Sequence, residues 1–343
     1  MTESLVGKPL ADLEALAEAL GEARYRGRQV AEWMYRKSAP SVAAMANLPK
    51  AFRERLARAH TVYGSEIERE ETAGDGTRKL LVRFRDGQAA ETVWIPGKAR
   101  LTACVSSQVG CAVRCNFCAS GLKGVVRDLT SPEILEQYFL QGVRTGKLPD
   151  HVVFMGMGEP FFNAEAVYGA IEVLIAPWGG ALSARHVTVS TSGVVPGILE
   201  FARRGGQVRL SVSLHAADDA VRDGLVPINR KWPLAELADA IRTYQEAARR
   251  QVTFEYVLLD GVNADLSDAL ALARWVRPFR CSVNLIPYNA VEEFPHRPPS
   301  RDAARAFADR LREKGVRTTI RLRRGSDIAG ACGQLRLREE KTP

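Results

Sequence analysis

Apolar residues along the chain recur with two different periods, and the switches between them mark its parts. Leu10, Leu13, Leu16, Ala17 and Leu20 return every three or four positions until Gly21, which predicts a helix ended by that glycine. A second helix is predicted through Arg28–Tyr35, stopping before Pro40. Between 63 and 97 the period shortens. Arg78–Phe84 and Ala90–Ile95 are β-rich runs separated by Asp86-Gly87, a two-residue hairpin signal. From 101 to about 322, strand-like runs at Leu101–Ser106, His151–Met155, His186–Ser190, Val208–Leu214, Val252–Leu258, Cys281–Ile286 and Arg317–Leu322 alternate with amphipathic segments. One of these is Pro132–Arg144, where Leu135, Phe139 and Val143 lie four apart on one face. Such alternation predicts parallel strands with helical crossovers, hence an α/β barrel or a doubly wound sheet with its site at the C-terminal strand ends. The expected division is 1–62 helical, 63–98 a β-hairpin linker, 99–325 the α/β part and 326–343 a terminal segment.

At 343 residues, with 46% apolar and 26% charged residues, the chain can bury a large core. No apolar run approaches the ~20 residues of a membrane helix. Acidic residues punctuate the first twenty positions, so a cytoplasmic protein that uses no membrane is expected. A net charge of +8 favours a polyanionic partner. Arg24, Arg26, Arg28, Arg36 and Lys37, interleaved with Tyr25, Trp33 and Tyr35, could follow an RNA backbone and stack on bases. They could equally be a helix with its aromatics in the core and its charges in water.

Three of the six cysteines, Cys111, Cys115 and Cys118, share one short loop at a 4-then-3 spacing. Three thiolates can hold three corners of a [4Fe-4S] cube and leave the fourth iron open. Zinc is the rival, although closed zinc sites take four ligands and no second cysteine pair stands nearby. Cys281 begins an apolar strand and reads as a small core residue. Gly156-Met157-Gly158-Glu159-Pro160 follows an apolar strand, so its glycines let a ligand approach the backbone and Glu159 offers an acceptor for a cationic amine. Ser190, Ser213-Leu214-His215 and Asn289 end the following strands. Arg317, Arg321, Arg323 and Arg324 read either as phosphate contacts or as the solvent face of an edge strand.

The cysteine spacing, with Phe117 just before the last cysteine, resembles the signature of radical S-adenosylmethionine (SAM) enzymes. The longer strings Cys104–Cys111 and Gly325–Leu335 resemble the RlmN/Cfr family of radical SAM RNA adenine methyltransferases, with similarity from about Leu20 to Leu335. That resemblance implies a partial (β/α)6 radical SAM barrel with a small N-terminal helical domain that contacts RNA. It implies a [4Fe-4S] cluster on Cys111, Cys115 and Cys118, and SAM bound by Gly158, Glu159, Ser190, Ser213, Leu214, His215 and Asn289. By the same resemblance two SAM molecules are used, Cys332 carries the methyl group as S-methylcysteine, Cys104 resolves the product through a disulfide, and Glu91 accepts a proton. The implied partners are ribosomal RNA, a tRNA, a one-electron donor and a disulfide reductant, with the protein a monomer. The first reading is methylation at C2 of adenosine in 23S ribosomal RNA and in a tRNA anticodon loop. Cfr-like C8 methylation and a noncatalytic metal-containing RNA-binding protein are the alternatives. Ala119-Ser120-Gly121 and Gly124–Leu129 depart from the family's usual residues, which bears on the substrate and not on the reaction type.

Overall fold

A two-residue strand, β1 (Glu3–Ser4), precedes α1 (Leu10–Ala19), α2 (Tyr25–Tyr35) and α3 (Lys50–Ala59) in the computed structural model, which describes residues 2–98 and 100–336. Next, β2 (His60–Thr61) pairs parallel with β1. The second helix begins three residues earlier than expected and buries its apolar side, including Val30, Met34 and Tyr35. Tyr35 is fully buried, its ring 5.0 Å from Phe139 and its hydroxyl accepting from Gly7 N at 3.0 Å. It cannot stack on a base. On the basic face Arg24 and Arg28 share the single buried Glu14, at 2.7 and 2.6 Å, and both side chains remain largely exposed.

Residues 63 to 98 form β3 (Glu66–Thr72), β4 (Arg78–Arg83) and β5 (Ala89–Pro96), an antiparallel meander. The expected hairpin is therefore present, with a third strand added. Its turn is one residue longer than predicted: Phe84 N donates to Gln88 O at 2.8 Å, bracketing Arg85, Asp86 and Gly87, with Gly87 at φ +81°. A three-residue loop needs that left-handed residue at its end.

β5 pairs antiparallel with β6 (Leu101–Cys104), so the meander continues into the main sheet. The chain then runs through β7 (Gln108–Gly110), β8 (Val125–Asp128), α4 (Ser131–Thr145), β9 (His151–Phe154), α5 (Ala164–Ile175), β10 (Val187–Thr191), α6 (Val195–Arg204) and β11 (Arg209–Ser213). It finishes with α7 (Asp219–Leu225), α8 (Leu234–Ala248), β12 (Val252–Leu258), α9 (Leu266–Val276), β13 (Cys281–Pro287), α10 (Arg301–Glu313) and β14 (Thr318–Ile320). The ten-stranded sheet has the order β14-β13-β12-β11-β10-β9-β6-β5-β4-β3, parallel from β14 to β6 and antiparallel beyond. Parallel strands joined by helices make the partial α/β barrel of radical SAM proteins. Of the predicted C-terminal segment, residues 337–343 lie outside the described residues.

Helix α4 shows how local signals fix an element. Thr130 and Glu133 form a reciprocal capping box, Pro132 occupies the first turn, and Gly146 at φ +72° ends the helix. Its Leu135 and Phe139 are fully buried, each stabilising the fold by about 1.5–3 kcal/mol. Glu136 on the same helix accepts from Ser4 Oγ at 2.7 Å, Gly64 N at 2.6 Å and Ser65 N at 2.8 Å, which ties the N-terminal helices to the barrel.

Candidate active site

The cysteine loop leaves a tight hairpin. Cys111 N donates to Gly124 O at 3.0 Å, and Gly110, at φ +82°, brings its α-carbon so close that a Cβ would stand 2.0 Å from that same oxygen. Only glycine is tolerated there. At the other end, Asn116 bonds through its amide to Leu225 O at 3.1 Å and through Nδ2 to Gly224 O at 2.6 Å, which hangs the loop on α7. Val113 and Phe117 pack with Ala216, Leu225, Val257 and Tyr288. The three thiols consequently face one cavity at the C-terminal ends of the strands, enclosing about 1000 Å³ of empty space with its open mouth.

Glu159, Ser190, Ser213, His215 and Asn289 line that cavity with the thiols. Glu159 is almost fully buried, and Ser192 fixes its Oε2 through N at 2.7 Å and Oγ at 2.6 Å, while Phe161 N donates to Oε1 at 3.2 Å. Burial raises its pKa against these hydrogen bonds. Gly156 and Gly158 line the cavity too, but their missing side chains make room for protein. A Cβ on Gly156 would lie 2.6 Å from Ser106 Oγ, and one on Gly158 2.7 Å from Gln108 N. Close approach of the loop after β6, more than of a ligand, accounts for both glycines.

His215 adopts φ +61° and accepts from Val257 N at Nδ1, 3.0 Å, so its hydrogen resides on Nε2. Burial, and then Arg222, push its pKa down to about 3, and the ring is neutral. Leu214 is different: its side chain is in the core, and its N and O bond to Glu255 O and Arg222 Nε at 3.0 and 2.9 Å. Only the backbone of Leu214 belongs to the neighbourhood of the site.

Two residues with no assigned role prove central. Arg222 is wholly buried and donates to Leu214 O, Asn229 Oδ1, Ser192 O and Ser213 O at 2.9, 2.7, 2.6 and 3.3 Å. No signal marks it in the sequence, where it sits among acidic residues of an ordinary short helix. Glu255 lines the cavity and accepts from Ser211 Oγ and Asn284 Nδ2 at 3.0 and 3.1 Å. A carboxylate inside the apolar run Val252–Leu258 was a legible signal.

The terminal segment lies across the cavity mouth as a strap. Asn289 Nδ2 donates to Cys332 O at 3.1 Å, Ala119 N to Gly333 O at 2.8 Å and Ser120 Oγ to Leu335 O at 2.7 Å. Cys332 thus lines the thiol cavity, and also a neighbouring one that it shares with Cys104. Its exposed surface is cavity wall, and burial still pushes its thiol up to about 11, with that of Cys104 pushed up to about 12. Arg321 follows the edge strand β14 and stays partly open to solvent, with 42% of its side chain exposed. It lines both cavities, 3.6 Å from Glu255 Oε2, and its charge favours both thiolates. Glu91 does not line the thiol cavity. It lies on β5, where Arg336 N donates to Oε2 at 2.8 Å and Lys79 Nζ is 3.0 Å from Oε1.

Burial first, and then the neighbouring thiols and Glu159, push Cys111 up to about 12 and raise Cys115, while burial raises Cys118, so a bound cation is what would hold all three as thiolates. A cube gives each thiolate its own iron, so the three need not converge on one point, and among the described residues no three His, Cys, Asp or Glu groups do. Asn289 Oδ1 is buried without a partner on the same wall, an acceptor suited to a polar ligand such as SAM. The residues present suit both groups.

Residues 105–273 match the model of the radical SAM superfamily, and residues 4–62 that of the ribosomal RNA large subunit methyltransferase N-terminal domain. The dual-specificity RNA methyltransferase RlmN of Anaeromyxobacter sp. is 44% identical over 335 residues, covering 95% of this chain and 89% of the relative. That of Marinobacter nauticus is 42% identical over 342 residues, covering 97% and 92%. A crystal structure of a radical SAM methyltransferase from Sphaerobacter thermophilus superposes with a TM-score of 0.93 at 45% identity, covering 97% of this chain and 99% of that one. The cofactors of such proteins are a [4Fe-4S] cluster and SAM. With this likeness running through nearly its whole length, the chain belongs to the RlmN family of SAM-dependent radical RNA methyltransferases.

Proposed function

We propose that this protein methylates C2 of an adenosine in 23S ribosomal RNA and of an adenosine in a tRNA anticodon loop, by way of S-methylcysteine at Cys332. The observation that carries the reading is the position of Cys332 on the wall common to two cavities, one holding the three loop cysteines and the other Cys104. The dual specificity in the relatives' names supports two RNA substrates. Residues 1–62 act as the accessory RNA-binding domain, 63–98 as the link to the barrel, 99–325 as the barrel and 326–343 as the segment that presents the methyl carrier.

C2 of adenine is not a nucleophile, so a displacement cannot methylate it directly. When bound, the cluster and SAM supply the methyl group and the one-electron chemistry that makes its carbon reactive. Cys332 Sγ takes the methyl group as a thiolate, the form that the Arg321 charge favours. Glu159, Ser190, Ser213, His215 and Asn289 orient SAM, with Glu159 held by Ser192 and His215 kept neutral. Once the carbon carried on Cys332 is joined to adenine, the adduct gives up its unpaired electron to a one-electron acceptor, the oxidised form of the external donor. The Glu91 carboxylate removes the ring proton, which leaves a closed-shell thioether. Cys104 Sγ then attacks Cys332 Sγ. The S–S bond forms as the bond from Cys332 Sγ to carbon breaks, and that carbon takes up a proton to become the methyl group. An external reductant reopens the disulfide, and an external donor supplies the electron. The protein acts as a cytoplasmic monomer; among the described residues no helix is long and apolar enough to cross a membrane.

Mass spectrometry of ribosomal RNA and tRNA from a deletion strain tests the reading. Loss of 2-methyladenosine from both is expected. Loss of an 8-methyl product would reassign the carbon, and unchanged RNA would overturn the assignment. A noncatalytic protein would also fail to cleave SAM after reduction by dithionite.

A further inference from the structure

Glu91 opens onto a polar cavity of its own, lined also by Glu68, Arg69, Glu71, Lys79 and Arg83, on the antiparallel end of the sheet. Lys79 is 5% exposed, an unusual burial for an ammonium, and its Nζ lies between two carboxylates: 3.0 Å from Glu91 Oε1 and 3.5 Å from Glu71 Oε1. The pleat sets this up. Glu71 stands opposite Lys79 across β3 and β4, while Val93 stands opposite Lys79 across β4 and β5, which places Glu91, two residues before Val93, on the same face. Side-chain exposure is 8% for Glu91 and 5% for Lys79, and only at Glu71, 36% exposed, does the row reach solvent.

We propose that Lys79 and Glu71 form the route by which the proton taken up by Glu91 leaves for solvent. The inference rests on the role given to Glu91 above. The other Glu91 oxygen is taken by Arg336 N, so Oε1 is the side from which a proton can move on, and Lys79 is what it meets. The step balances without a co-reactant. Lys79 passes one ammonium proton to the Glu71 carboxylate as it takes the proton from Glu91, and ends as it began, an ammonium ion. Glu91 returns to the carboxylate and Glu71 releases its proton to water. Burial raises the Glu91 pKa, and the Lys79 ammonium opposes that rise. Of the other charges on this cavity, Arg83 pairs with Glu68, Arg69 also acts on Glu68, the Arg336 guanidinium pairs with Glu293, and Glu71 opposes ionisation of Glu91.

Reduced holoenzyme, SAM, a dithiol reductant and a ribosomal RNA fragment, followed through successive turnovers on denaturing gels, test this. With Lys79→Met, SAM cleavage and methylation of Cys332 should match wild type, while the covalent protein–RNA adduct should persist, resolving on the order of tenfold more slowly. The acid limb of its rate profile should move up by about one to two pH units, because Glu91 loses the neighbouring charge that favours its carboxylate form. Lys79→Arg should restore the position of that limb, and Glu71→Gln should slow resolution without moving the limb upward. An unchanged resolution rate and pH profile in Lys79→Met would overturn the route, as would Lys79→Arg behaving like Lys79→Met. If Lys79→Met does not fold, a wild-type resolution rate in Glu71→Gln overturns it. Absence of any adduct in Cys104→Ala instead defeats the underlying mechanism.

Discussion

The guanidinium of Arg222 donates to the carbonyl of Ser192 at 2.6 Å, and the amide and hydroxyl of that same serine grip Glu159 Oε2 at 2.7 and 2.6 Å. Arg222 also belongs to α7, the helix from which Asn116 and the cysteine loop are hung. One buried cation therefore indexes the expected SAM amine site to the expected cluster site.

Arg222→Met should accordingly cost about 3 kcal/mol or more of stability, because it strands several buried acceptors at once. Arg222→Lys should recover only part, since a single ammonium cannot reach carbonyls on both strand ends. Urea denaturation and iron content after gel filtration measure the two effects. A Met variant within about 0.5 kcal/mol of wild type would refute the account.

Replacing Cys111, Cys115 or Cys118 with Ala should abolish both cluster absorbance and SAM cleavage, because two thiolates are too few anchors for a cube. Cys332→Ala should keep both and lose methyl transfer. Peptide mapping of wild-type protein should locate S-methylcysteine at Cys332. A brown, SAM-cleaving variant of any loop cysteine, or a methyl group mapped elsewhere, would contradict the separation of roles.

Cys104→Ala should accumulate a protein–RNA adduct that survives denaturation, since no thiol remains to attack Cys332. Cys281→Ala should not. Cys281 is half-buried at the start of β13, and its Sγ lies 3.8 Å from Val276 O, remote in role from the two cavities. Denaturing gels with nuclease digestion and mass spectrometry distinguish the two variants, and free turnover by Cys104→Ala would remove its assigned step.

His215 makes a stability prediction. Its folded pKa of about 3 lies below the ordinary 6.5, so below pH 6.5 the unfolded chain binds a proton that the folded protein refuses. Stability should fall with acidification from pH 6.5 towards 3, by up to about 1.4 kcal/mol per pH unit from this residue. Above pH 6.5 it contributes no slope. His215→Asn, which can still accept from Val257 N, should flatten the acid side of the curve in urea melts at pH 5–7. Parallel curves for the two proteins would count against a neutral buried ring.

Much of the barrel was legible because its strands are contiguous apolar runs and its helices are amphipathic, both local properties. The loop cysteines were legible because all three ligands sit within one short stretch. What stayed hidden depends on which distant segments meet. Arg222 looks like a surface charge until the ends of β10 and β11 close around it. The alternation of Arg317, Arg321 and Arg323 marks the sheet edge, but gives no sign that Arg321 comes within 3.6 Å of Glu255 Oε2, two strands away. The Gly156 and Gly158 pattern does announce a close approach, but which partner approaches is settled by the loop at Ser106–Gln108, folded back from another strand. Tyr35 could be called core or surface until α4 supplied Phe139.

The strap is latched to the cysteine loop by its own backbone, through Ala119 N to Gly333 O and Ser120 Oγ to Leu335 O. Ribosomal synthesis delivers that strap after all of the barrel strands. During synthesis, then, the three loop thiols stand uncovered until the strap docks across part of the cavity mouth. The wall that carries Cys332 is therefore the last part of the site to be completed, an order that follows from its place in the chain.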